Sequence, residues 1–196
     1  MKRRVFISSS AVVETRAAPD VSFVPPLVRR RLSPLQKMFY ALANQVETAP
    51  SALTVFASRD GEDTLTRRIV DDFHDDGSVS PHRFSSSVYN AAPGLWSVST
   101  KNRAPYTAIA AGEDTIECGL IELLADAFPA MLVYAEETGG GYGAALSVSA
   151  EGEAGSAVDV EDGDPSRAPV DFAAFADFLS GRIRSLEGRY LTLRRA

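Results

Sequence analysis

The rhythm of the chain narrows its fold before any single residue does. "ALTVFASR" is a short apolar run of the kind that makes a buried strand, and "EDTLTRRIVDDFHDD" after it sets Leu65, Ile69 and Phe73 on one helix face. The helix-like "FSSSVYNAAPGLWSVST", the strand "YTAIAA", the helix "EDTIECGLIELLADAF" and the strand "AMLVYAEE" continue the alternation. Each crossover is long enough to hold a helix. The pattern therefore predicts an α/β fold built on a mostly parallel mixed sheet with helices on both faces.

The flanking segments extend this reading. "RRVFISSSAVV" reads as a first strand. "SPLQKMFYALANQVE" spaces Leu35, Met38, Phe39, Leu42 and Val46 as one helix face, with Ser33 as N-cap and Pro34 at the first helical position. Further on, "TGGGYG" is a turn followed by the strand-like "AALSVSAEGE", so it does not open a helix as a dinucleotide fingerprint would. The Gly-, Ser- and acid-rich stretch near 151–169 reads as an exposed loop, and the stretch near 170–191 as a C-terminal helix carrying Phe172, Phe175, Phe178, Leu179 and Ile183. With 196 residues and 45% hydrophobic content, the economical organisation is one domain over residues 1–196.

Charge and side-chain chemistry exclude several function classes. Twenty-six acidic residues against 20 basic ones give a net charge of −6, which argues against a general nucleic-acid surface. Arginines do cluster at Arg29-Arg30-Arg31 and Arg194-Arg195, where they form either a solvated face or a patch suited to an acidic protein partner. The lone Cys118 rules out an intrachain disulfide, and His74 and His82 alone offer no metal-ligand spacing, so neither metal nor cofactor is expected. The basic start with its very short apolar run fails as a signal peptide or a membrane span, and a reducing cytoplasm is the expected location.

The sharpest local feature lies in "APYTAIAAGEDTIECGLIELLADAFP", where a strand turns at Ala111-Gly112-Glu113 into a helix. Such an elbow commonly mounts a nucleophile, and this one offers carboxylates. Glu113 and Asp114 suit a helix N-terminus because its free N–H groups and dipole favour negative charge, so acidic capping accounts for them without any function. A general base at Glu113 would need a raised pKa, which a helix N-terminus opposes. Cys118 lies more than a turn beyond the elbow beside Glu117 and Glu122, an environment that raises rather than lowers a thiol pKa.

The spacing of this segment resembles the β-ketoacyl synthases. Ala104-Pro105 precedes a short strand, and counting onward puts Glu113 where those enzymes carry their Cys. The upstream block "SPHRFSSSVYNAAPGLWS" is similar to the family at Ser80, Pro81, Phe84, Ser87, Asn90, Ala91, Ala92, Gly94 and Ser97. "FVPPLVRRRLSPLQKM" is similar to the arginine-containing approach of small ketosynthase-like proteins of aryl polyene clusters, so the resemblance runs from about Val24 to Leu124.

The resemblance implies a thiolase-like fold corresponding to the N-terminal half of a ketosynthase. It further implies a chain length factor, the non-catalytic partner in which the Cys is substituted. On that reading Gly112, Glu113 and Asp114 form a degenerate elbow, and neither His74 nor His82 matches a family catalytic histidine. Ser87, Asn90, Gly94, Trp96 and Ile116 become candidates for the acyl tunnel or the partner interface. The implied partner is a full-length ketosynthase in a heterodimer, with an acyl carrier protein engaged indirectly. The alternatives are a self-associating structural or regulatory homodimer without acyl chemistry, or an enzyme using Glu113 or Asp114 as acid or base.

Overall fold

A computed structural model describes residues 3–14, 18–125, 128–149 and 155–196. The chain alternates as the sequence suggests: β1 (Arg3–Val13), α1 (Pro26–Arg29), α2 (Pro34–Gln45), β2 (Leu53–Ala57), α3 (Asp63–Asp76), α4 (Pro81–Ser86), α5 (Ala91–Thr100), β3 (Tyr106–Ile109), α6 (Thr115–Leu124) and β4 (Ala130–Glu136). After these come β5 (Tyr142–Ser149), β6 (Ser156–Asp162), α7 (Phe172–Leu179), β7 (Ser185–Glu187) and β8 (Leu191–Arg195). The eight strands form one sheet in the order β3-β2-β4-β5-β1-β6-β8-β7.

The sheet is mixed, with helices on both faces, but parallel pairing is confined to β3-β2-β4 and the other five pairings are antiparallel. The expectation of a mostly parallel sheet is corrected accordingly. It extrapolated helical crossovers to the whole chain, whereas the turn after β4 returns the chain directly into β5. Glycines 139, 140 and 141 all take positive φ in that turn, and a short return of this kind gives antiparallel neighbours.

Two further expectations are corrected in the last quarter of the chain. The stretch near 151–169 is not all loop: β6 lies within it and pairs with β1 and β8, while residues 151–154 fall outside the described set. Its alternation buries Val158 and Val160, and the acids that alternate with them face outward, where Asp159 pairs with Arg4 and Glu161 with Arg194. The stretch near 170–191 is not one helix, because α7 stops at Leu179 and Gly181 takes a positive φ of 76°. The β7–β8 hairpin follows.

Both faces of the central strands are covered, which explains why every residue of β4 is buried. One core joins α6 and α7 to the sheet through Ile116, Leu120, Leu123, Phe175 and Phe178. The other sets α2 against the opposite face through Leu35, Phe39 and Leu42, with Phe56, Met131 and Val133 beneath them. At the start of α2, the Ser33 hydroxyl accepts the Gln36 N–H at 3.0 Å and the Gln36 side chain accepts the Ser33 N–H at 3.1 Å. That reciprocal capping box fixes the helix start. Towards the sheet edge, β3 is only half-buried, not the buried strand its apolar residues suggest, because it has a neighbour on one side alone.

Candidate functional site

The carboxyl ends of the three parallel strands converge, and this is where open α/β sheets place ligands. Beyond β3, Gly112 takes φ +58°, a left-handed conformation in which a side chain would be strained. The backbone then makes a single 3-10 turn over Gly112–Asp114 before α6 begins. Thr115 fixes this elbow, since its hydroxyl accepts the Ala111 N–H at 3.0 Å and donates to the Gly112 carbonyl at 2.8 Å.

Glu113 projects from the elbow and is exposed. Asp114 is engaged: it pairs with Arg189 at 3.1 Å and accepts from the Tyr190 hydroxyl at 3.3 Å. One turn on, Glu117 is fully buried and accepts backbone N–H groups of Arg189 at 3.1 Å, Tyr190 at 2.9 Å and Leu191 at 3.4 Å. Gly188 must be glycine for this grip, because a Cβ there would stand 2.0 Å from Oε1 of Glu117. The β7–β8 turn thus clamps the first turn of α6.

At the end of β4, beside the end of β2, stands a second buried carboxylate, Glu136, which accepts the Ser58 hydroxyl at 3.0 Å, the Asp60 N–H at 3.3 Å and the Arg59 N–H. Burial raises its pKa, with the Arg59 and Asp60 N–H groups and the Ser58 hydroxyl opposing the rise. A cleft of about 370 Å³ opens between the elbow and this network. Arg59, Glu113, Tyr134, Tyr142 and Phe172 line it, and the rings of Tyr142 and Phe172 lie 4.7 Å apart. Burial drives the Tyr134 phenol pKa far up, and the charge of Glu136 adds to the effect.

Among the described residues, the hydroxyls on the cleft wall belong to Thr115, already used by the elbow, and to the two tyrosines, and no Cys, Ser or His lines it. Cys118 is half-buried outside the cleft, its thiol pKa raised by burial and then by Asp114 and Glu117. His74 and His82 are exposed on α3 and α4. Among the described residues, no group of three or more His, Cys, Asp and Glu stands together to hold a metal, and no helix is long and apolar enough to cross a membrane.

The sequence-based tunnel candidates divide across the sheet. Ile116 is buried in the core beneath α6 and lines the elbow cleft. Trp96 lies on the opposite face, edge-on to Tyr40 at 5.1 Å and to Phe39 at 6.3 Å, beside a separate cavity of about 380 Å³. Gly94 lets α5 approach β3, since a Cβ there would meet the Tyr106 hydroxyl at 3.2 Å. Ser87 donates to the Phe84 carbonyl at 2.9 Å, and Asn90 is exposed ahead of α5. The structure does not bring these five residues to one cavity.

Sequence reasoning missed Glu117 and Glu136, whose partners lie some 70 residues away in the chain. One signal was present for Glu117. It interrupts the apolar face that Ile116, Leu120 and Leu123 define.

An eight-stranded mixed sheet with helices on both faces and a strand-elbow-helix at the end of its parallel part matches the thiolase-like ketosynthase half-fold. The chain belongs to the family described as Beta-ketoacyl synthase, N-terminal domain, which matches residues 7–141. Among solved structures it is similar to a chain of the ketosynthase (ApeO) in complex with its chain length factor (ApeC) from Xenorhabdus doucetiae. That match has 18% identity and a TM-score of 0.68 over 100% of this chain and 97% of that chain. It is also similar to the ishigamide ketosynthase/chain length factor, with 16% identity and a TM-score of 0.54 over 77% of this chain and 56% of that chain. No curated protein matches the chain significantly.

Proposed function

We propose that residues 1–196 act as one ketosynthase-like half domain, a non-catalytic chain-length-factor-like subunit that pairs with a full-length ketosynthase and shapes its acyl tunnel. The observation that supports this reading is the elbow: Glu113, which the resemblance sets in the nucleophile position, is exposed there, and among the described residues neither Cys nor His lines the cleft behind it. The condensing Cys and histidines then belong to the partner, which carries out the Claisen condensation in polyene or fatty-acyl elongation. An acyl carrier protein delivers substrate to that partner and meets this subunit only indirectly.

The strand leading into the elbow supplies the means of pairing. The carbonyls of Pro105 and Ile109 bond to β2, so by alternation the main-chain groups of Tyr106 and Ala108 point away from the sheet. This open edge can accept a strand from a partner. Co-expression with the ketosynthase of the same pathway is expected to give a heterodimer by size-exclusion chromatography with light scattering. Ala108→Pro, which removes an outward N–H and leaves β2 pairing intact, is expected to abolish the heterodimer without unfolding the chain. Two proteins that elute separately in the wild type would end the proposal. The same edge could serve a self-associating regulatory homodimer, and that reading holds instead if the isolated chain is a stable dimer that the ketosynthase does not displace.

A further inference from the structure

A cavity of about 260 Å³ opens where α2 gives way to the loop before β2. Ala130, the first residue of β4, stands on its wall, so the cavity lies at the amino ends of the parallel strands, opposite the elbow cleft. Strand alternation builds its floor. On β5 the face that sets Ala145 in the core under α2 continues, past the end of that helix, as Ser147 and Ser149. The neighbouring strand β1 adds Ser8 through a bulge: Ile7 stands opposite Val148 and Ser9 opposite Ser147, which leaves Ser8 as the extra residue.

Ser147 marks this cavity as a site. It is 4% exposed, it lines the cavity, and its Oγ has no hydrogen-bond partner among the described residues. A hydroxyl buried in this way is costly unless something bonds to it. One water would answer that need, but a water takes only about 30 Å³ and the cavity is far larger. A path inward exists as well, since Ser8, Glu47 and Thr48 are exposed at the rim while Ser147 and Ser149 are buried at the floor.

The hydrogen-bond inventory of the wall selects the ligand. The Ser8 hydroxyl donates to that of Ser149 at 3.0 Å, so the Ser149 hydrogen is left to be given onward. The hydroxyl of Ser147 can both give and accept, and the Glu47 carboxylate only accepts. Thr48 is already spent on the Ala49 carbonyl at 3.0 Å. Among the described residues no Lys, Arg or His lines the cavity, so an anion would meet a carboxylate and no countercharge. An ammonium would suit Glu47 but would leave the serine hydrogens without an acceptor. Hydroxyl groups satisfy both needs, because each one accepts and donates.

We infer that this cavity binds a small neutral polyol, a sugar ring or sugar alcohol, whose adjacent hydroxyls accept from Ser147 and Ser149 and donate to Glu47. Ala49 and Pro129 supply apolar wall for its C–H groups. The volume lies below the range of pockets for larger organic ligands, about 300–1,000 Å³, and suits a single ring or a short chain. The inference is independent of the ketosynthase pairing, which uses the β3 edge at the far side of the sheet.

The test is a titration of the isotope-labelled full chain with xylitol, followed through amide shifts in two-dimensional NMR. Saturable shifts confined to residues around Ser8, Glu47 and Ser147 are expected, with a millimolar Kd for so small a ligand. Ser147→Ala is expected to bind about tenfold more weakly, its spectrum elsewhere reporting that the fold is kept. Ser8→Ala alters an exposed residue and is expected to weaken binding by a smaller factor. Ser78→Ala, at an exposed serine beyond α3, is expected to leave affinity unchanged. Absence of saturable shifts, or equal affinity in Ser147→Ala and the wild type, would overturn the inference. So would ethanolamine or inorganic phosphate that binds there more tightly than xylitol.

Discussion

Helices α3 and α6 hold equivalent places in the fold. Each follows a strand of the parallel group, each opens on an acidic turn, and each carries apolar residues at helical spacing. Their fates differ. Seven of the ten residues of α6 are buried, and its first turn is clamped through Asp114 and Glu117 to the β7–β8 turn. None of the residues of α3 is buried, and its start rests on Glu62 and Glu137. The difference shows that an amphipathic pattern fixes a helix without saying whether its apolar face meets the chain's own core or another molecule.

The largest effect is expected where α6 meets the sheet. Leu120→Ala should destabilise the chain by about 2–5 kcal/mol in urea unfolding, because Leu120 is 1% exposed and a cavity would remain. Slightly smaller is the cost of Glu117→Ala, about 3 kcal/mol, since the N–H groups of Arg189, Tyr190 and Leu191 would lose their acceptor, that of Leu191 in a buried place. A change under 0.5 kcal/mol would mean that the clamp is incidental to the elbow.

The corresponding carboxylate at the start of α3 behaves in the opposite sense. Glu62 is 4% exposed and accepts the Ser33 hydroxyl and the Gln36 amide, each at 2.9 Å, through one oxygen; the other has no hydrogen-bond partner among the described residues. Burial pushes its pKa to about 7, the two hydrogen bonds oppose this, and Glu137 adds to the rise. A raised folded pKa means that the group's stabilising share is complete below the unfolded value of 4.5 and disappears as pH climbs through about 7. Glu62→Gln keeps the acceptor and removes the charge. The variant should match the wild type near pH 4 and be more stable by about 3 kcal/mol near pH 8, the gap opening between those limits. A gap that does not change with pH would show that Glu62 carries no such cost.

What was legible in the sequence follows from the range of the interactions. The start of α2 could be read because Ser33 and Gln36 are three residues apart. The elbow could be read because Gly112 marks a local backbone need. Acid composition makes β6 look like loop, because the meaning of the alternation of Val158 and Val160 depends on Arg4 and Arg194 far along the chain. The end of α7 was overrun because Ile183 happens to continue the helical spacing of Phe175 and Leu179 past Gly181. The clamp on Glu117 joins residues 72 positions apart, a distance that no local pattern encodes.

The smallest expected effect bears most directly on the contrast between the two helices. Phe73 is 59% exposed on α3, so Phe73→Ser should shift the stability of the isolated chain by no more than about 0.5 kcal/mol. A truncation of similar size on α6 removes contacts made over the whole side chain, whereas Phe73 keeps most of its surface in solvent. An unchanged melting temperature would show that this exposed ring carries no weight in the free protein, in contrast to the buried face of α6. A marked loss of stability in the free chain would place Phe73 in the chain's own packing. The open apolar stripe of α3 would then be an extension of the core, and the contrast with α6 would be one of degree alone.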